Sequence, residues 1–290
     1  MRKEFILRRK RGIGDIISDS FSYFRIHFLS ITKTILVIAM PFLLAGAILI
    51  GFFYSELFQS IATNPAALPD YKAVNLILGL FLLFVGYLLQ QAVVVEYMKV
   101  SEKTEKKEIT FKAIFAGIKK NVLNYFLGSI LIYIIMAAAT LAFFLPGIFL
   151  LISFSIYFYV ISIENKDPGA AIGRSINLIW GSWWKSFLAY FVINLIISAV
   201  SYIIIIPFML IFTVGGLSSS DPYAFMQNMY QLYSLIMPVL IVASSIFMSL
   251  MFIAFGMNYY SLVEYREEVG LKQQIEEIES VESEVDVLQK

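Results

Sequence analysis

Residues 170–190 read AAIGRSINLIWGSWWKSFLAY and hold all 3 tryptophans of the chain. Ile172, Ile176, Ile179, Trp180, Trp183 and Phe187 recur at helical spacing, opposite Arg174, Asn177 and Lys185. An uncharged run follows, from 186 to 213. Roughly 20 apolar residues cross a bilayer, so the run reads as a membrane span. A basic amphipathic helix feeding a span is expected to lie in the interface, its apolar side in the acyl boundary. Tryptophan suits the headgroup level. The stretch therefore predicts a helix-to-span corner, not a soluble binding site.

The rest of the chain fits that reading. Of its 290 residues 59% are hydrophobic and 15% charged, against roughly 25% charged in average soluble domains. Six apolar runs suggest six spans, at about 30–53, 74–97, 122–145, 147–163, 186–213 and 235–260. All Lys and Arg except Lys72 fall on one side of these spans or at their ends on that side. The positive-inside rule then puts both termini in the cytoplasm of a multi-pass protein, read here as one of a bacterial inner membrane. The basic start is followed by residues of mixed polarity and then a run too long for a signal peptide, so no cleavable leader is expected. There is no cysteine, hence no disulfide or thiolate metal site.

The corner at 170–190 recurs as part of a threefold repeat. In the first copy Ile17, Phe21, Phe24, Phe28 and Ile31 form the stripe, with Ser18, Asp19, Ser22 and Arg25 opposite. In the second the stripe is Phe111, Phe115, Ile118 and Val122, opposite Lys112, Lys119 and Lys120. Asp15, Thr110, and Asp167 followed by Pro168 are the expected N-caps. Each odd span carries a proline in its outer half or at its end, at Pro41, Pro146 and Pro207. The motif Leu145–Pro146–Gly147 suggests a tight outer hairpin. Each even span ends on a glutamate with a base close behind: Glu96 and Lys99, Glu164 and Lys166, Glu264 and Arg266. The predicted fold is an all-α integral membrane protein of three parallel repeats, each an interfacial amphipathic helix plus a two-helix hairpin, at about 13–99, 110–166 and 168–266. Residues 1–12 read as a basic cytoplasmic tail and 267–290 as an acidic one. Three two-span repeats match the plan of mitochondrial carriers, but no charge follows the prolines here as it does there.

Chemistry is sparse. His27, the lone histidine, reads as a solvated or snorkelling side chain. No HExxH, GxSxG or phosphate-loop pattern is present, so no catalytic residue, metal or cofactor is expected, and no nucleic-acid partner. Glu96, Glu164 and Glu264 form a candidate polar ring at the inner face, with Gln90, Gln91, Tyr159 and Asn258 just inside the membrane from them. The bland reading makes each glutamate a solvated acid paired with its neighbouring base. Gly79, Gly86, Gly128 and Ala137 to Ala139 suggest close helix packing. The loop 214–234 suggests a short helix from Asp221 and Pro222.

GIGDIISDSFSYFRIHF (12–28) and AAIGRSINLIWGSWWKSF (170–187), each leading into a span, resemble a feature of bacterial six-span membrane proteins. These are similar to the membrane domain that accompanies some glycerophosphoryl diester phosphodiesterases, and to related uncharacterised families. The resemblance covers about 12–265. It implies a membrane module without the catalytic domain, whose chemistry belongs to a separate soluble barrel. The expected function is non-enzymatic, a membrane scaffold or a lipid- or partner-binding module. Its lipid contacts would be Arg25, Lys112, Lys119, Arg174, Trp180, Trp183, Trp184 and Lys185, favouring anionic headgroups on the cytoplasmic side. The acidic C-terminal tail is a candidate protein-docking segment. The alternative is a transporter or channel for a small or lipidic solute, with Gln90, Gln91, Tyr159 and Asn258 as its vestibule.

Overall fold

The computed structural model describes residues 5–63, 73–103, 109–142, 144–218 and 220–268, and among these there is no strand. The helices are α1 (Ile13–Ile38), α2 (Met40–Thr63), α3 (Ala73–Lys103), α4 (Phe111–Ala142), α5 (Phe144–Phe154), α6 (Tyr157–Glu164), α7 (Pro168–Ile179), α8 (Trp183–Ser218) and α9 (Pro222–Glu267). Seven stretches among the described residues are long and apolar enough to cross a membrane, where the sequence suggested six. The additional one is α1.

Proline chemistry explains that difference. Pro41 has no N–H for the carbonyl four residues back, and its ring crowds that carbonyl. The helix breaks at Ala39, and the Phe42 and Leu43 amides both turn to the Ala39 carbonyl, each at 3.1 Å. The expected span at 30–53 is thus divided between α1 and α2. Pro146 sits in the first turn of α5, where a missing N–H costs nothing. Pro207 and Pro238 lie inside α8 and α9 without ending them. The expected loop at 214–234 is mostly helix, because α9 starts at Pro222 and runs on to Glu267.

The first two amphipathic segments run straight into their spans as α1 and α4, whereas the third is a separate helix, α7. Asp167 caps α7 as expected, accepting from the Gly169 and Ala170 amides at 3.0 and 3.1 Å, with Pro168 next. Thr110 accepts from the Ala113 amide at 3.3 Å. Asp15 is not the N-cap of α1. It lies in the first turn and reaches back to the Gly12 amide at 2.9 Å, the carboxylate half of a capping box.

The expected fourth span is two helices. No Gly or Pro breaks it. Ser153 and Ser155 turn their hydroxyls onto the Phe149 and Ile152 carbonyls, and the Ser155 amide also takes the Ile152 carbonyl, at 3.2 Å. Side chains and i−3 bonds compete with the helix ladder there.

The chain divides into two compact units. Unit 1 comprises Met1–Ile26, Val95–Phe191 and Ile253–Lys290. Within it α4 packs on α5, α6 and α7, and α7 packs on α5 and α6. Tyr157 to Ser162 of α6 are buried without interruption, so this helix is core on every side. Unit 2 comprises His27–Val94 and Val192–Phe252. Its α2–α3 seam is close: a Cβ on Gly46 would lie 2.8 Å from the Gly79 carbonyl oxygen, so only hydrogens fit between the backbones. Gly79 and Gly86 pack as expected, and Gly128 lies against Tyr157, but Ala137 and Ala138 on α4 are exposed. His27 is buried rather than solvated.

Candidate functional site

Of the three apolar stripes only Ile31, Ile118 and Ile179 are buried. In α1 the buried face is Ile16, Ser20, Tyr23, His27 and Ile31, while Phe28 is exposed. In α4 it is Ile114, Ile118, Asn121 and Tyr125, while Phe111, Phe115 and Val122 are exposed. In α7 it is Ala171, Ser175, Leu178 and Ile179, while Trp180 is exposed. The inward faces are rich in small and polar groups. Ser20 and Ser175 return their hydroxyls to the carbonyls of Ile16 and Ala171, so neither is left unsatisfied. Phe28, Phe111, Phe115 and Trp180 are turned outward.

The α7–α8 corner carries two of the three tryptophans on the surface. α7 ends as the chain turns at Trp180, and Gly181 has φ +85°, a left-handed conformation that glycine adopts without strain. Nothing lies within 4 Å of a Cβ built on Gly181, so the backbone angle, not space, demands glycine. Trp180 and Trp184 are 64% and 70% exposed. Trp183 is different: its indole N–H donates to the Phe149 carbonyl at 3.1 Å, and its ring stacks on Phe149 and Phe187. A phenylalanine could not make that hydrogen bond, which explains a tryptophan at this position. Arg25, Lys112 and Lys119 are exposed. Lys185 is half-buried, 3.5 Å from the Ser261 hydroxyl.

Arg174 is an ion-pair centre rather than a lipid contact. It meets Glu164 at 3.0 Å and also Glu267. Burial opposes its charge, but the Glu267 and Glu164 carboxylates outweigh burial and raise its pKa above the ordinary value. The neighbouring base expected for Glu164, Lys166, is therefore not the partner seen. Arg266 likewise turns to the Trp180 carbonyl.

Glu96 is no solvated end-of-span acid. It is 2% exposed and accepts from Asn121 at 2.9 Å, Tyr125 at 2.8 Å and Ser162 at 2.7 Å, all to one oxygen. Lys99 pairs with Glu96 at 4.0 Å, as expected, and also donates to Ser162. Glu164 also accepts from Tyr259 at 3.2 Å, and Glu264 is 7% exposed. A third tyrosine–carboxylate pair, Tyr260 to Glu102 at 3.0 Å, was not anticipated. Unit 1 in fact buries Tyr23, Tyr97, Tyr125, Tyr157, Tyr159, Tyr259 and Tyr260 almost completely.

The basic segment before α1 is packed rather than solvated. Arg8 pairs with Glu102 and lies over the Tyr260 ring. Arg9 and Arg11 share Asp19 at 2.6 and 2.7 Å, and Lys10 meets Glu268 at 2.8 Å. The Arg11 side chain is wholly buried and donates to the Leu7, Arg9 and Ile6 carbonyls. Burial lowers its pKa and Asp19 partly restores it. The acidic tail, predicted to dock a partner, lies outside the described residues beyond Glu268.

Of the expected vestibule, Gln90, Tyr159 and Asn258 are wholly buried and Gln91 half-buried. Tyr159 donates to the Met98 sulfur at 3.2 Å. Asn258 donates to Ser186 and Tyr190 at 2.8 and 2.7 Å. In unit 2, Gln90 donates to the Ser245 carbonyl and to Ser249. The side-chain carbonyls of Gln90 and Asn258 have no protein partner. Among the described residues no group of three acidic or histidine side chains is placed to hold a metal ion. No family model matches the chain, and no curated protein or solved structure is similar to it.

Proposed function

We propose that this chain is a non-enzymatic membrane module that holds lipids with anionic headgroups against an aromatic and basic rim, and serves as a scaffold there. The observation that carries this reading is the exposure of Trp180 and Trp184 at the α7–α8 corner. Exposed large aromatics in water would be an aggregation liability, but at the headgroup level they anchor. The exposed Phe111, Lys112, Phe115 and Lys119 at the start of α4 have the same character. Each well-placed Lys or Arg near an anionic surface adds about 1 kcal/mol. The bases available for it include Arg25, Lys112 and Lys119, whereas Arg8, Arg9, Lys10, Arg11 and Arg174 are held by carboxylates of the chain itself. The membrane is the bacterial inner membrane, with both termini cytoplasmic.

The six-span, three-repeat plan belongs to this reading. α1 carries Asp15, Asp19, Arg25 and Lys33, and each charge at mid-bilayer would cost about 3 kcal/mol. The first half of α1 therefore lies in the interface and α2 completes the first crossing. The matching Ser20 and Ser175 back-bonds support the repeat.

The test uses the chain's own tryptophans, which are its only indoles. Reconstituted in vesicles with phospholipids brominated at shallow or deep acyl positions, the protein should be quenched more by the shallow bromines. Arg25→Gln, Lys112→Gln and Lys119→Gln together should reduce the enrichment of anionic over zwitterionic lipid in the co-purifying shell. Stronger quenching from the deep position, or no dependence on bromine, defeats the reading.

The α5–α6 break favours a second reading, a transporter or channel. Discontinuous helices inside spans commonly line solute sites. Solute flux into proteoliposomes that vanishes when the break is repaired by Ser153→Ala and Ser155→Ala would support it.

A further inference from the structure

The α5–α6 break and the Asn258 amide share one buried hydrogen-bond system in unit 1. Ile156, the N-cap of α6, offers no side-chain bond to the first turn of that helix. The neighbouring Ser155 hydroxyl is 2.8 Å from the Ile152 carbonyl and 3.1 Å from the Tyr190 hydroxyl. Tyr190 in turn meets the Asn258 amide nitrogen at 2.7 Å. The second amide proton goes to Ser186 at 2.8 Å, and Ser186 donates to the Ser182 carbonyl at 3.1 Å. Ser155, Tyr190, Asn258 and Ser186 are at most 7% exposed.

The protons can be counted. The Ser155 hydroxyl donates towards Tyr190, while the Ser155 amide holds the Ile152 carbonyl. Tyr190 accepts from Ser155 and from Asn258, so neither bond uses its own proton. Ser186 accepts from Asn258 and donates to Ser182. The Asn258 carbonyl oxygen is left without a partner. Turning the amide over would let Ser186 and Tyr190 donate to that oxygen, but would leave the nitrogen without an acceptor. In either orientation one amide atom needs a partner that the protein does not supply.

The surroundings decide what the partner is. None of the four side chains is bonded to a charged group. A bound ion would therefore be buried without a counter-charge, at high cost. The partner must be neutral, must donate or accept as the amide requires, and must fit among wholly buried groups. We infer that one water molecule is held between the Asn258 amide and the Tyr190 hydroxyl, beside the α5–α6 break. It gives a proton to the Asn258 carbonyl and takes the one that Tyr190 has left. Two to four such partners are what a buried water needs.

Radiolytic hydroxyl-radical labelling of the full chain in lipid nanodiscs tests the site. Radicals formed from a bound water oxidise its immediate neighbours even where bulk solvent cannot reach. Tyr190 should be labelled several-fold more than Tyr125, which is equally buried but bonded to Glu96. Equilibration in oxygen-18 water should carry the heavy isotope into the Tyr190 product. Asn258→Leu should abolish the excess. If that variant does not fold, the wild-type comparison still decides. Labelling of Tyr190 no greater than of Tyr125 overturns the inference, and so does a label that never acquires the isotope, which would mark a lipid or polyol hydroxyl in place of water.

Discussion

Replacing Gly117 by alanine should unfold the chain more easily, although alanine is the better helix former. A Cβ at this position would lie 2.6 Å from the Glu96 carboxyl carbon and 3.1 Å from its Cγ. Ordinary carbon contacts are about 3.5–4.0 Å, so the carboxylate must retreat by about 1 Å. Its bonds from Asn121, Tyr125 and Ser162, at 2.9, 2.8 and 2.7 Å, have little slack. A retreat of that size takes them past the limit of hydrogen bonding. Each buried group left unsatisfied costs about 1–3 kcal/mol, and the losses overlap because one carboxylate serves all three. Allowing about 1 kcal/mol for the gain in helix propensity, Gly117→Ala should lose about 2–4 kcal/mol net. Gly173→Ala is the control. Nothing lies within 4 Å of a Cβ there, and it sits within α7. It should be neutral or stabilise by up to about 1 kcal/mol. Equilibrium unfolding in mixed micelles, with tryptophan emission as the signal, measures both. On a Glu96→Ala background the obstacle is gone and Gly117→Ala should cost nothing further. An equal cost in both backgrounds, or a Gly117→Ala variant as stable as Gly173→Ala, would refute the placement of Glu96.

Other perturbations separate neighbouring residues. Arg174→Gln should destabilise by about 1 kcal/mol, the ordinary worth of a partly solvated ion pair, and Lys166→Gln by less; equal melting temperatures would deny that Arg174 is the partner of Glu164. Arg11→Ala should cost about 1–3 kcal/mol by leaving the Ile6 and Leu7 carbonyls without their donor and Asp19 with Arg9 alone, and should speed proteolysis within residues 5–12; unchanged cleavage would contradict a packed N-terminal segment. Gly128→Ala should drive the Tyr157 ring from its seat, since the new Cβ would lie 2.7 Å from the ring's Cε1; the loss should be largely recovered by adding Tyr157→Ala, and a purely additive pair would exclude the contact.

The helices were legible because their signals are local. Asp167 with Pro168, and Thr110, announce helix starts through one side chain and the next few amides, and both cap as expected. The long uncharged runs were legible for a similar reason, since length and composition alone qualify them as spans. The break at Ser155 was not, because it depends on two serines winning a competition for carbonyls that most serines in spans merely join. Ser20, Thr34, Ser175 and Ser201 bond four residues back, and Ser244 and Ser245 three residues back as Ser155 does, without breaking their helices. What differs at Ser155 is its second neighbour, the Tyr190 hydroxyl brought in by α8.

The faces that pack on protein are not the apolar stripes, for a physical reason that also bears on function. Hydrophobic periodicity identifies the side of a helix that avoids water, and in a soluble protein that side is the core. At a membrane there are two ways to avoid water. Lipid takes large apolar side chains as readily as protein does, so packing against protein goes to groups that gain something lipid cannot give: small residues that let backbones approach, and polar ones that find partners. Ala171 and Ser175 are buried where Ile172 and Ile176 are half-buried, and Ser20 and Tyr23 where Phe21 and Phe24 are half-buried. The same logic explains the tyrosines. A tyrosine buried in unit 1 offers a ring for packing and a hydroxyl for Glu96, Glu102 or Glu164, and each of those carboxylates needs such a donor once it leaves water. The sequence shows the acids and the tyrosines far apart along the chain. Only the folded helices set Tyr125 on Glu96 and Tyr259 on Glu164. Glu96 and Glu164, each read from the sequence beside a nearby base, are held chiefly by hydroxyls and, for Glu164, by an arginine from another helix.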